Sequence, residues 1–125
     1  MFKQVIIFSM IIISLVSLSS VHAEKSAELY IPIGQSPGLS GEYTIIGKID
    51  EVDPQNQIIL ISDAAGSHTV EITEGTEFFL DRSKARLPNT YGTLDDCKVG
   101  DTVEVNFKDN DPPETADWIK VEKTQ

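Results

Sequence analysis

Residues 43–62, Y-T-I-I-G-K-I-D-E-V-D-P-Q-N-Q-I-I-L-I-S, restrict the fold more than any other stretch of this chain. Ile45, Gly47 and Ile49 alternate with Ile46, Lys48 and Asp50, the period of two that places successive side chains on opposite sides of a sheet. Val52 breaks that parity, as a bulge or sharp bend would, and Gly47 is the expected bend point. Asp53-Pro54-Gln55-Asn56 is turn chemistry: Asp bonds its own backbone, Pro presets φ, and Asn tolerates a left-handed position. The largely β-branched run from Ile58 to Ile61 returns as a second strand. A bent strand feeding a tight hairpin predicts a small closed barrel rather than a flat sheet.

The rest of the chain continues the pattern. Residues 67–73 read as a third strand, with Val70 and Ile72 on one face and Thr69, Glu71 and Thr73 on the other. Residues 77–81 hold Phe78, Phe79 and Leu80 in a short strand or rim segment. Residues 82–100 read as irregular, with one helical turn capped by Thr93 or Asp95 that sets Leu94 and Cys97 on a common side. Val99-Gly100-Asp101 is expected to start a strand with Val103, Val105 and Phe107 inward. Residues 116–122 form the last, with Ile119 and Val121 inward and Ala116, Trp118 and Lys120 outward. The fold class is all-β: a five-stranded OB-like barrel over residues 43–125.

The residues carrying this pattern are Gly47-x-Ile49, Asp53 with its polar turn, T-V-x-I from Thr69, V-G-D-x-V-x-V from Val99, and Ala116-x-x-Ile119-x-Val121. They resemble small exported bacterial OB-like domains of unknown function, over roughly residues 43–122. The layout is also similar to periplasmic OB-fold proteins linked to stress tolerance and to the small copper-carrying periplasmic barrels. The latter resemblance implies methionine and histidine ligands beside a tryptophan. Both methionines here, Met1 and Met10, precede residue 24, so the copper-chaperone role does not carry over.

Residues 1–23 read as a cleaved signal peptide. Lys3 supplies the positive start, residues 5–16 are apolar apart from serine, and Val21-His22-Ala23 is a signal-peptidase site. The competing reading is an uncleaved anchor, since residues 5–21 nearly reach spanning length. The protein is expected to be exported, to the periplasm or beyond, with no membrane association in the mature form. Residues 24–42 then form an extended arm rich in proline and glycine, in which Leu29, Tyr30, Ile31, Ile33 and Leu39 are large and apolar. One reading packs the arm on its own barrel. The other lends residues 29–41 to an envelope partner or to self-association. Tyr30, Ile31 and Ile33, together with the outward Trp118, are therefore the candidate ligand- or partner-binding residues.

The chain has a formal charge of −10, and the 102 residues after residue 23, which exclude Lys3, carry −11. That balance opposes nucleic acid and anionic membrane surfaces. His68 is the one histidine after residue 23 and Cys97 the one cysteine, which leaves no nucleophile–base–acid set and no internal disulfide. No cofactor motif is present, and a binding or structural module is expected rather than an enzyme. The alternative is an acidic metal-binding protein. Asp109-Asn110-Asp111 with Glu114 resembles a fragment of a calcium loop, without the glycine and distal glutamate of EF-hand spacing. Its candidate ligands are Asp109, Asp111 and Glu114. Export is tested by mass spectrometry of the envelope-fraction protein: Glu24 as the first residue is expected, and Met1 retained on membrane-embedded protein would contradict it.

Overall fold

The computed structural model describes residues 27–36, 44–109 and 114–124; the signal segment lies outside them. The described residues form one sheet of seven strands: β1 (Thr44–Asp53), β2 (Ile58–Asp63), β3 (Gly66–Glu71), β4 (Glu77–Asp81), β5 (Thr90–Gly92), β6 (Thr102–Phe107) and β7 (Ala116–Glu122). Their order is β3-β2-β1-β6-β7-β4-β5. All neighbours are antiparallel except β4 and β7, which run parallel. The sheet closes on itself where Glu71 meets Thr115 in a parallel bridge, backed by the Glu71 N–H donating to the Glu114 carbonyl at 2.8 Å.

Seven segments make a five-stranded OB-like barrel because β3 and β4 act as one interrupted strand. The turn at residues 73–76 breaks it, held by the Thr76 hydroxyl, which accepts the Thr73 N–H and donates to the Ala116 carbonyl at 2.7 Å. Before the turn the chain pairs with β2, and after it with β7. Strand β5 is an addition on the far edge of β4. The segment read as irregular is thus more ordered than its composition suggests. It also holds two 3-10 turns, Ser83–Ala85 and Leu94–Asp96. Thr93 is the N-cap of the second, and its N–H donates to the Asp96 carboxylate at 2.8 Å.

The inward row of β1 is Ile45, Gly47 and Ile49, and the register shift to β2 falls between Ile49 and Glu51. The bulge is therefore at Asp50 rather than Gly47. It places Asp50 and Glu51 together on the outside and returns Val52 to the core, which explains the broken parity. Gly47 instead permits close approach: a Cβ there would collide with the Ser62 carbonyl and the Ile61 side chain of β2. In the β1–β2 turn Asn56 bonds both oxygens of Asp53, and the left-handed residue is Gln57 (φ 55°), not Asn56.

Ile59, Ile61, Val70, Val103, Val105, Phe107, Ile119 and Val121 are fully buried inside the barrel. Two expectations need correction, the strand start at Val99 and the outward Ala116. Val99 belongs to the turn before β6 and is 69% exposed; Gly100 follows in the left-handed region (φ 92°). Ala116 lies in the core, not outside. Pairing steps from Asn106–Trp118 to Phe107–Ala116, so Asp117 is skipped and Ala116 turns inward.

Leu94 packs against the core and Cys97 is buried within it. Burial pushes the Cys97 thiol up to about 12, which leaves almost no thiolate near neutral pH. A water-soluble maleimide is expected to leave Cys97 unmodified at pH 8 and to label it in denaturant. Rapid labelling of the native protein would contradict its place in the core.

Candidate functional site

The barrel has two outer faces, and the chain treats them differently. On the first, register aligns Ile46 of β1, Glu104 of β6, Lys120 of β7, Phe79 of β4 and Tyr91 of β5 in a single cross-strand row. Trp118 lies in the next row, opposite Asn106 and Glu77. Such neighbours on one face interact directly; the arm covers Glu104, Lys120, Phe79 and Trp118, while Ile46 and Tyr91 at the ends of the row stay 45% and 56% exposed.

The described part of the arm is a series of turns rather than an extended segment. Tyr30 and Ile31 donate to the carbonyls of Ala27 and Glu28. Gln35 donates to Pro32 across a turn whose third residue, Gly34, has φ 83°, the position of a type II turn that requires glycine. These turns aim the arm at the outer row. Leu29 packs with Phe79 and Trp118 in a small cluster separate from the barrel core. The Asn89 side chain donates to the Leu29 carbonyl at 3.0 Å. The Ile33 N–H donates to Asp81 at 2.9 Å and the Gly34 N–H to Glu104 at 3.3 Å.

Beneath the arm Lys120 is 0% exposed. Its ammonium lies 3.4 Å from Glu28, 3.4 Å from the Ser36 hydroxyl and 3.9 Å from Glu104, and 4.7 Å from the centre of the Trp118 ring. The Ser36 hydroxyl donates in turn to Glu28 at 2.6 Å. Phe79 touches both Tyr91 and Trp118, with ring centres 5.6 and 6.1 Å apart. Burial pushes the Glu104 carboxyl up, against the opposing effects of the Gly34 N–H and Lys120. For Asp81, burial acts in the same sense but is outweighed by hydrogen bonds from Ser83 and Ile33 and by Lys120, so its carboxyl lies below the usual value. Asn106 donates to the Thr44 hydroxyl, while its Oδ1 is buried with no hydrogen-bond partner among the described residues.

Of the residues singled out for partner binding, Trp118 is on the outer face but only 2% exposed, and Tyr30 is 74% exposed. Ile31 and Ile33 are half-buried. Leu29, rather than these three, reaches Trp118. Sequence reasoning missed Glu28, Glu104 and Lys120 as a group. The only signal was the outward parity of Glu104 on β6 and Lys120 on β7, which points equally to a solvated surface.

Of the proposed metal ligands, Asp111 lies outside the described residues and Asp109 is exposed. The Glu114 carboxylate lies 3.5 Å from His68 Nδ1, while His68 Nε2 faces Asp63 at 3.1 Å. Two acids on opposite ring nitrogens do not converge on one point. Among the described residues no three His, Cys, Asp or Glu side chains form a group able to hold a metal.

The second outer face, on β1–β2–β3, carries an open depression lined by Glu51, Asp53, Ile58, Leu60 and Thr69. Register sets Leu60 between Glu51 and Thr69, and Ile58 between Asp53 and Glu71. Two partly exposed apolar side chains thus run along β2 between flanking carboxylates. The Asp53 carboxyl is held low by hydrogen bonds from the Asn56 side chain and backbone, so it stays ionised.

No protein-family model matches the chain, and no curated protein matches it. Solved structures of CusF are similar to it. The silver(I) form is 20% identical, with a TM-score of 0.45 over 64% of this chain and 96% of that one. A copper(II) form of a tryptophan-to-alanine CusF variant from Escherichia coli is 19% identical, with a TM-score of 0.47 over 70% of this chain and all of that one. The apo form from the same organism is 19% identical, with a TM-score of 0.42 over 70% and 98%. At TM-scores below one half, this likeness carries no argument about what the present chain binds.

The arm contacts lead to a paired expectation. Leu29→Ala should cost about 2 kcal/mol and shift Trp118 fluorescence toward that of a solvated indole. Asp81→Asn should lower the melting temperature at pH 7. A carboxyl held below its unfolded value of 3.8 stabilises above that pH and loses the contribution as pH falls through its folded value. The gap between wild type and Asp81→Asn should therefore narrow in acid. A constant gap would remove Asp81's charge from the account.

Proposed function

We propose that this protein is an exported small β-barrel binding module that presents the outer face of β1–β2–β3 to its ligand, while its own arm seals the face of β4–β6–β7. One observation carries this reading: the contrast between the two faces. On one, even a lysine and a tryptophan are covered by the arm, and the exposed Ile46 and Tyr91 lie only at its margins, on β1 and β5. On the other, Ile58 and Leu60 remain partly exposed in a depression with polar walls. Sites for ligands are concave and largely apolar, with a few placed polar groups, and strands two and three of OB-folds commonly supply such a face. The open face is also backed directly by the barrel core. Ile59 and Ile61, which alternate with the exposed pair, are wholly buried, so binding there requires no rearrangement of the core.

The test is a proton–nitrogen correlation spectrum of the isotopically labelled protein, titrated with the peptide and small-molecule fraction of its native envelope. Shift changes confined to the strands around Glu51, Leu60 and Thr69 are expected, and Leu60→Ser should abolish them without unfolding the barrel. Changes centred on Tyr30, Gly34 and Tyr91, or no change on either face, would overturn the assignment.

A further inference from the structure

The composition of the open face narrows the ligand, on the reading that this face is the binding one. Along β2, Ile58 and Leu60 form an apolar stripe two residues long. On the β1 side they are flanked by Glu51 and Asp53, and on the β3 side Glu71 lies opposite Ile58. The bulge at Asp50 adds a further carboxylate to the β1 side by turning two consecutive acids outward. Lys48, in the middle of β1 and opposite Ser62, is the one cation on this face among these strands. We propose that the face docks a basic peptide segment in which one apolar side chain stands between two lysines or arginines.

The argument is one of matched spacing and charge. Adjacent strands lie about 4.8 Å apart, so the row Asp53–Ile58–Glu71 presents acid, apolar and acid groups at successive steps of about that length. A peptide crossing the strands places its apolar side chain against Ile58 and Leu60. The long stems of the flanking Lys or Arg carry their charges out to the carboxylates on either side. An anionic ligand meets repulsion from both walls. A wholly apolar ligand leaves those carboxylates partly desolvated with no counter-charge, which is costly. The formal charge of −10 on the whole chain favours approach of the same class of partner. Discrimination thus comes from both the attraction and the repulsion.

The experiment uses three fluorescein-labelled heptapeptides with the purified protein: Gly-Ser-Lys-Leu-Lys-Ser-Gly, the same peptide with glutamates for lysines, and the same with serine for leucine. Anisotropy should rise with the Lys-Leu-Lys peptide, with affinity at least fivefold weaker for each control and declining with added salt. Glu51→Lys, an exposed position, should weaken binding at least fivefold, and so should Leu60→Ser, with melting curves showing both variants folded. Equal affinity for the lysine and glutamate peptides, or an unchanged affinity in Glu51→Lys, would overturn the proposal. Correlation spectra separate the two levels of the reading. Glutamate-peptide shifts on β1–β3 would refute the basic-ligand class and keep the face. Lysine-peptide shifts elsewhere on the barrel would refute both.

Discussion

Lys120 sets the terms for the whole outer face of β4–β6–β7. A lysine with no exposure cannot draw on water for its ammonium, and removing an ion from water costs several kcal/mol unless the protein supplies counter-charge and hydrogen bonds. Here the strand neighbours supply only part of that. Glu104 comes from β6 at 3.9 Å, whereas Glu28 and the Ser36 hydroxyl, both at 3.4 Å, come from the arm. The same arm places Leu29 against Trp118 and Phe79, so the apolar burial and the charge compensation form together. Neither is available to the barrel alone. A buried ion pair is weak evidence for extra stability, and setting register is its best-attested use. In this chain it defines where the arm sits.

That arrangement divides the labour of the barrel surface. A closed small barrel has an interior just large enough for its own side chains, so a ligand must be taken from outside, on one of the outer faces. One face is occupied by the chain itself through contacts that span 48 to 92 residues of sequence. The other keeps an apolar stripe between carboxylates. The asymmetry arises from small backbone features rather than from different strand types. The bulge at Asp50 turns two acids toward the open side, and the glycine turn at Gly34 directs the arm to the closed one.

Much of the fold was legible from periodicity. The bounds of β7 and the inward set Val103, Val105, Phe107, Ile119 and Val121 follow from alternation alone, and Thr93 and Leu94 carried enough cap and spacing signal to place the turn before Cys97. What escaped were features decided by pairing. The outward placement of Ala116 failed because a register step at Asp117 is invisible without the partner strand. Gly47 was read as the bend because a strand glycine has two uses, and only the approach of the Ser62 carbonyl distinguishes them. The arm was read as extended because Pro32 and Gly34 exclude a helix, yet those residues serve equally well in a turn. The sealed cluster was hidden for a different reason. Glu104 and Lys120 are charged residues at outward strand positions, and nothing in their own sequence says that Glu28, 92 residues before the lysine, will help to cover it.

The claim that the arm and the buried lysine form one unit is tested most directly by native-state hydrogen exchange at the amides of Ile33 and Gly34. Each donates to a carboxylate of the barrel, Asp81 and Glu104 respectively. If the account is correct, both exchange far more slowly than in an unstructured peptide, and with a common opening free energy, as members of one cooperative unit do. Exchange of both amides at unstructured-peptide rates, while the amides of β6 and β7 remain protected, would contradict it.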